Sequence, residues 1–270
     1  HSSGNALLGV INDILDFSKI DAGKLHLENH PFRLDETIDH VMAMFSSRTA
    51  EKDIELILDM ALHTPVAVIG DALRFQQILS NLMSNAVKFT ESNGIIRIRV
   101  TYEKISASGI RLYCAVNDTG IGMTEEQRDL LFTAFTQGDT STTRKFGGTG
   151  LGLCISQQLV ELMDGEIRVT SAYGQGSEFA FSVTLSLQPE QPAKDLLLPA
   201  SLKHLSVLVV DDCQATLEII IQLLKNFGLA VEAATSAMQA VEWLQQQPPA
   251  RDNFDLIIVD EQMPVMDGFD

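Results

Sequence analysis

Asn81 and Asn85 stand four residues apart in DALRFQQILSNLMSNAVKF, residues 71–89. That spacing puts both amides on one face of a helix. An amide oxygen is a hard ligand, and Mg2+ accepts one such oxygen together with waters and phosphate oxygens. Asp118 closes the apolar stretch IRLYCAVND and is followed by Gly120 and Gly122. A strand-end carboxylate can accept from an exocyclic amine, which selects adenine over guanine, while glycine lets the backbone approach the ring. A second cluster, KFGGTGLGLCI at 145–155, sets four glycines in six positions just before an apolar run. Glycine costs a helix about 0.5–1 kcal/mol relative to alanine, so bare backbone must serve something there. Gly148, Gly150 and Gly152 would expose N–H groups at a helix start, where the dipole favours phosphate. Any one of these glycine groups can be a plain turn. Together, and in this order, they point to a nucleotide held beneath a lid. A dinucleotide fingerprint does not fit, because TSTTRKF ahead of the cluster is polar and strandless.

A second constellation lies near the C-terminus. VLVVDD places Asp211 and Asp212 at the end of one expected strand, and LIIVDEQMPVMDG places Asp260 at the end of another. In open α/β sheets ligands gather at the carboxyl ends of strands, so the three carboxylates converge. Three like charges are unfavourable without a cation, which makes Mg2+ the natural resolution. A carboxylate beside Mg2+ can attack a phosphoryl group. A single strand-end acid would read as a solvated cap; the trio does not.

The elements that position these residues are legible as periodicities. ALLGVINDILDFSKI at 6–20 carries a helical stripe of Leu7, Val10, Ile11, Ile14, Leu15 and Phe17 that cannot bury itself alone. A softer helix is expected over 36–48, with Asp35 as its cap. Leu73, Ile78, Leu79, Leu82, Met83 and Val87 form the apolar side of the 71–89 helix. IELILDM, VAVIGD, GIIRIRVTYEKI and IRLYCAVND read as strands, and EIRVTSAY with SEFAFSVTLSL as a hairpin about GQG. QPEQPAKDLLLPASLKH, 188–204, has three prolines and no period, which marks a linker. Beyond it strand and helix alternate as in a parallel α/β sheet.

The 270 residues are 45% hydrophobic and 20% charged, enough for two domains with sizeable cores. A net charge of −17 argues against a nucleic-acid or anionic-membrane surface. Cys114, Cys154 and Cys213 are scattered, with no metal-ligand spacing, as expected of buried thiols in a reducing compartment. No apolar run reaches the ~18 residues of a membrane span, and no signal peptide is visible, so the chain is expected neither to span a membrane nor to be exported by itself.

QILSNLMSNAVKFT, NDTGIGM, LFTAFTQGD and GGTGLGLCI resemble the N, first glycine, F and second glycine boxes of sensor histidine kinases, with GQGSEFAFSV like the closing hairpin. The resemblance implies an α+β two-layer sandwich of the Bergerat type that binds ATP with Mg2+. By matching position, Asn85 would ligate Mg2+, Asn81 and Lys88 would contact phosphates, and Asp118 would hold the adenine amine. Gly120, Gly122, Gly148, Thr149, Gly150, Leu151 and Gly152 would line the nucleotide, under a lid running from about Phe135 to Gly148. Phe132 and Phe135 serve equally well as core aromatics or as lid supports. Related ATPases of this fold place a Glu base where Asn81 stands, and a neutral amide cannot act as that base. The resemblance therefore implies transfer to a histidine rather than hydrolysis.

None of His1, His26, His30, His40, His63 and His204 lies in a stretch like the family's acceptor motif, H-E-x-R-T-P. His63, in HTP, is expected on a loop and not as acceptor. NALLGVINDILDFSKIDAGKL resembles the second helix of the dimerisation hairpin, so the chain is expected to begin after the phosphorylated helix and to be incompetent for autophosphorylation. The C-terminal stretch resembles a response-regulator receiver of flavodoxin-like order, with Asp260 as phosphoacceptor and Asp211, Asp212, Asp260 and the Gln262 backbone holding Mg2+. Two further strand–helix units of a receiver are not in the sequence, which would leave the third strand as an open apolar edge. The expected parts are a hairpin remnant at 1–25, an ATP-binding catalytic domain at 30–188, a linker at 189–204 and a partial receiver at 205–270. The implied partners are ATP, a second kinase protomer, and a histidine phosphotransfer protein or response regulator, without nucleic acid or direct membrane contact. A cytoplasmic setting follows, with the full-length protein anchored in the inner or plasma membrane.

Overall fold

In a computed structural model, residues 2–133, 150–189, 198–199, 202, 204–246, 254–261, 263–266 and 268 are described. The chain divides into two compact units, His1–Ala193 and Lys194–Asp270.

The first unit opens with α1 (Ser2–Asp21), which ends where Gly23 takes φ +62°. It continues through β1 (His30–Arg33), α2 (Leu34–Ala50), β2 (Glu55–Met60), β3 (Ala67–Gly70) and α3 (Ala72–Phe89). Then come β4 (Ile95–Lys104), β5 (Gly109–Asp118), α4 (Glu125–Asp129), α5 (Gly152–Leu162), β6 (Ile167–Ser171) and β7 (Ser177–Leu187). The strands form one mixed sheet in the order β1-β3-β7-β5-β4-β2, with β6 also paired to β7. Only β2 and β4 run parallel among these pairs. Along β4, Ile96, Ile98 and Val100 are buried, while the alternating Arg97 is half-buried and Arg99 and Thr101 are exposed. This period of two marks a sheet with one covered face. α3 lies between α2 and α5 on that face, giving a two-layer α+β sandwich with a single core.

The 71–89 helix shows why its residues fold as they do. Asp71 caps it by accepting from the Arg74 N–H at 3.0 Å, and also accepts from the Glu28 N–H at 3.0 Å. Phe75, Ile78, Leu79, Leu82, Met83, Ala86 and Val87 are buried at 3–4-residue spacing. Each large one contributes about 1.5–3 kcal/mol by leaving water. Leu73 departs from the expectation and is 66% exposed. Two residues before Phe75, it lies some 200° round the helix from the buried stripe. The cap expected at Asp35 is also corrected: Arg33 takes the N-cap position of α2, and Asp35 sits in the first turn, paired to the Arg33 guanidinium.

α1 leans on α3 through polar groups. Arg74 Nη1 lies 2.8 Å from Asp16 Oδ2, and Gln77 Nε2 donates to the same oxygen at 2.9 Å. Burial pushes the Asp16 carboxyl up, but the bonds from Gln77 and Arg74 outweigh it and hold the group below its ordinary value. Phe17 and Ile20 pack on the core, whereas Ile11, Ile14 and Leu15 are 43–51% exposed. Part of the apolar stripe is therefore uncovered, in keeping with a helix that cannot bury it alone.

The second unit runs β8 (Ser206–Val210), α6 (Gln214–Asn226), β9 (Ala230–Ala234), α7 (Ala237–Gln246) and β10 (Leu256–Val259). Its sheet is parallel in the order β10-β8-β9. Alternate residues of β8 serve two cores. Leu208 and Val210 cluster with Ala234, Ala240 and Trp243, while Val207 and Val209 cluster with Leu217 and Leu229. One helix thus covers each face, the doubly wound α/β arrangement. On β10, Leu256, Ile257 and Val259 are 41–45% exposed.

Candidate functional site

α3 carries Asn81 and Asn85, both half-buried, with Lys88 in its last turn. Asn81 Nδ2 donates to Ser156 Oγ on α5 at 2.9 Å. Its Oδ1 faces Gly152, where an added Cβ would lie 2.5 Å away. Gly152 is bare because the Asn81 side chain occupies the space beside it. This close approach stands beside the expectation that Gly152 exposes its N–H at the helix start. Leu151 is 1% exposed, occupies the N-cap position of α5 with no capping side chain, and belongs to the core. Its side chain packs in the core, which leaves only its backbone to face a ligand. Gly150 takes φ +69°. Gly148, Thr149 and Phe135 lie outside the described residues, as does the lid expected over 135–148, while Phe132 is half-buried.

Asp118 ends β5 and is 8% exposed. Its Oδ1 accepts from the Gly120 N–H at 2.8 Å, and the Ser177 N–H also donates to the carboxylate. Burial pushes this carboxyl above its ordinary value, and the two backbone donors offset the rise only in part. The turn after β5 is packed too tightly for side chains. A Cβ on Gly120 would lie 2.5 Å from the Phe89 carbonyl oxygen, and one on Gly122, at φ +62°, would run into the Ala172 carbonyl. Phe89 O also accepts from the Ile121 N–H at 3.3 Å, so the last turn of α3 abuts the glycine turn. The Lys88 ammonium lies 4.7 Å from the Phe89 ring centroid, and burial lowers its pKa. Asn81 thus faces α5, while the last turn of α3, which carries Lys88, abuts the turn that follows Asp118. A separate cavity of 240 Å³, lined by Arg99, Tyr113, Ala115 and Arg168 among others, opens on the sheet away from these groups.

The direction at Asp118 fixes a pH dependence. With its pKa raised in the folded chain, this group favours the fold most below the ordinary carboxylate value, and that contribution fades as pH rises through the raised value. Acceptance from an amine runs the other way, because protonation replaces an acceptor by a donor. Adenosine affinity should therefore fall as pH is lowered from neutrality, with the fall beginning above the ordinary aspartate value of about 3.9. Asp118→Asn should make the profile flat. Calorimetric titrations across that range check it, and parallel profiles would refute the role of Asp118.

In the second unit the carboxylate oxygens of Asp211, Asp212 and Asp260 lie within 4.8 Å of one another. Asp211 is buried and its Oδ1 accepts from the Cys213 N–H at 2.8 Å, while Asp212 is exposed and Asp260 half-exposed. Three hard oxygens around one point suit Mg2+. Gln262 lies outside the described residues. Sequence reasoning missed Ser156. A serine within an apolar helical run, four residues after a glycine, was the available sign, and the structure leaves it 1% exposed.

Residues 70–189 match the family of histidine kinase-, DNA gyrase B- and HSP90-like ATPases, and residues 207–270 match the response regulator receiver domain. The chain is 36% identical over 274 residues to the autoinducer 2 sensor kinase/phosphatase LuxQ of Vibrio cholerae, covering 99% of this chain and 31% of that protein. It is 47% identical over 187 residues to the signal transduction histidine-protein kinase BarA of Escherichia coli K12, covering 69% of this chain and 20% of that one. The crystal structure of full-length ShkA in complex with AMPPNP aligns with a TM-score of 0.71 at 29% identity, covering 89% of this chain and 48% of ShkA. The chain spans a third or less of the length of the two sensor kinases.

Proposed function

We propose that this chain, which has the domain order of a hybrid sensor histidine kinase, an ATPase domain of the histidine kinase type followed by a response regulator receiver, binds Mg-ATP at the junction of α3, β5 and α5 and passes its γ-phosphoryl group to a histidine. The observation that carries the reading is Asn81. It stands one turn before Asn85, tied to Ser156 and packed on Gly152. A neutral amide at that place cannot take a proton from water, so the pocket suits transfer to a nucleophile that needs no such base.

Asn85 would offer its amide oxygen to Mg2+, which when bound neutralises charge between the phosphates. Asn81 and Lys88 would contact phosphate oxygens, and Asp118 would accept from the adenine amine. The imidazole nitrogen of the acceptor attacks the γ-phosphorus, a P–N bond forms, and the P–O bond to ADP breaks with its electron pair leaving on ADP. A carboxylate oxygen of Asp260 would then bond to phosphorus, giving an acyl phosphate, as the P–N bond breaks with its electron pair returning to the imidazole, while Asp211, Asp212 and the Gln262 carbonyl would hold Mg2+ beside it. Relay to a histidine phosphotransfer protein or response regulator would follow. The uncovered Ile11, Ile14 and Leu15 support pairing of α1 with a second protomer. Among the described residues no helix is long and apolar enough to cross a membrane.

The test is incubation with γ-labelled ATP, alone and with a separate helical hairpin bearing an acceptor histidine. The chain alone should carry no phosphohistidine, the hairpin should become labelled, and free phosphate should stay at background. Steady release of phosphate without a phosphoprotein would make the domain a hydrolase. Binding without transfer to any acceptor would make it a nucleotide sensor.

A further inference from the structure

The three carbonyls around the end of α3 converge on one cation. Lys52 Nζ donates to Val87 O at 2.7 Å and Thr90 O at 3.0 Å, with Lys88 O at 3.5 Å. An ammonium has three protons and no acceptor, so these bonds use its full capacity. A cation also belongs at a helix C-terminus, where the last carbonyls lack partners and the dipole is negative. A helix end on the surface would be solvated by water instead. This one is held by a half-buried side chain from another part of the fold.

The backbone of Lys52 is itself fixed from both sides. Its N–H donates to Thr49 O at 3.1 Å at the end of α2, and its carbonyl accepts from the Asn93 N–H at 3.2 Å. The turn 90–94 then rests against Thr119. A Cβ on Gly94 would lie 3.0 Å from Thr119 Oγ1, and that hydroxyl accepts from the Ile95 N–H at 2.9 Å. Residue 89, between the carbonyls that Lys52 holds, is the one whose own carbonyl meets Gly120 and Ile121. The lysine therefore grips the junction where the helix bearing Lys88 meets the turn bearing Asp118.

We propose that Lys52 is a positioning residue for the nucleotide site, holding the phosphate end and the adenine end of the pocket in register through the last turn of α3. It touches no part of the ligand itself. The inference rests on the reading of this junction as the nucleotide pocket. Its signature is a loss of affinity in chain that is still folded, shared by ATP and adenosine and coupled to Lys88. A cap that served stability alone would lower the melting temperature and leave the affinity of the folded chain unchanged.

The experiment is calorimetric titration of Mg-ATP and adenosine, well below the melting temperature, into wild type, Lys52→Met, Lys52→Arg, Lys88→Met, the Met/Met double variant, and Lys104→Met as an exposed-charge control. Lys52→Met should weaken both ligands by about tenfold, and Lys52→Arg should recover most of the loss because a guanidinium still donates to carbonyls. For ATP the double variant should be weaker by clearly less than the product of the single losses, since Lys52 acts partly through Lys88. Lys104→Met should match wild type. Unchanged affinity in Lys52→Met, or losses in the double variant that simply multiply, would overturn the proposal. If Lys52→Met does not fold, Lys52→Gln takes its place: its shorter, neutral amide should still weaken both ligands several-fold, and unchanged affinity in it would equally overturn the proposal. Failure of wild type to bind ATP would instead remove the pocket on which the proposal stands.

Discussion

Asp118→Ala should weaken ATP binding by roughly 100-fold. In the proposed pocket the substitution removes the acceptor for the adenine amine, and a hydrogen bond to a charged group is worth about 1.5–3 kcal/mol. It also strips the Gly120 and Ser177 N–H groups of their partner, which loosens the turn after β5. Because the carboxylate is only 8% exposed, water does not readily replace it. Relief of a buried acid offsets part of the cost of the two unpaired N–H groups, so at neutral pH the fold should lose much less than binding does. That divergence separates recognition from scaffolding. Titration of ATP and GTP into wild type and variant checks it. ATP affinity within about threefold of wild type would remove Asp118 from the site.

Gly122→Ala should cost both fold and binding. Gly122 takes φ +62°, a backbone that an L side chain reaches only with strain, and its Cβ would run into the Ala172 carbonyl. Strain in that region costs about 1–3 kcal/mol, and forcing atoms into filled space adds about as much again. A loss of about 3 kcal/mol corresponds to a fall of roughly 10 °C in melting temperature for a domain of this size. Where Asp118→Ala acts mainly on binding, this variant should show lower stability and weaker nucleotide binding together. Gly174→Ala is the useful contrast. Its φ is +79°, yet no atom lies within 4 Å of the added Cβ, so only the backbone strain should register. Equal melting temperatures for the two variants would show that the close approach of Ala172 carries no weight.

The legibility of these features follows from how local their causes are. α3 could be read because its buried positions recur at helical spacing and Asp71 caps its start within three residues. The strands β4 and β5 could be read because alternation and length are properties of a single stretch. β1 and α4 escaped because each is short. β1 is four residues long and defined by its register against Ala67–Gly70, and α4 is five residues closed by a Thr124–Gln127 capping box. Neither leaves room for a periodic pattern. The exposure of Leu73 was a matter of angle around the helix, not of hydrophobicity. At the site, residue types and order pointed to Asn81, Asn85 and Asp118, whereas the partners that orient them lie far away in sequence. Ser156 is 75 residues from Asn81, and Lys52 reaches carbonyls 35 to 38 residues on. Such pairings are properties of the fold and leave no local mark. Gly152 shows the limit most clearly. Its bareness was legible, but that a neighbouring amide is one reason for it was not.

Asn85 is proposed to supply an amide oxygen to a metal held with the nucleotide. Calorimetric titration of ATP with and without Mg2+, in wild type and Asn85→Ala, tests it most directly. One saturable site should appear in wild type and tighten markedly when Mg2+ is present, and the alanine variant should bind with the same weak affinity in both conditions. A variant that keeps the full response to Mg2+, or a wild type that shows no saturable site, would contradict the account.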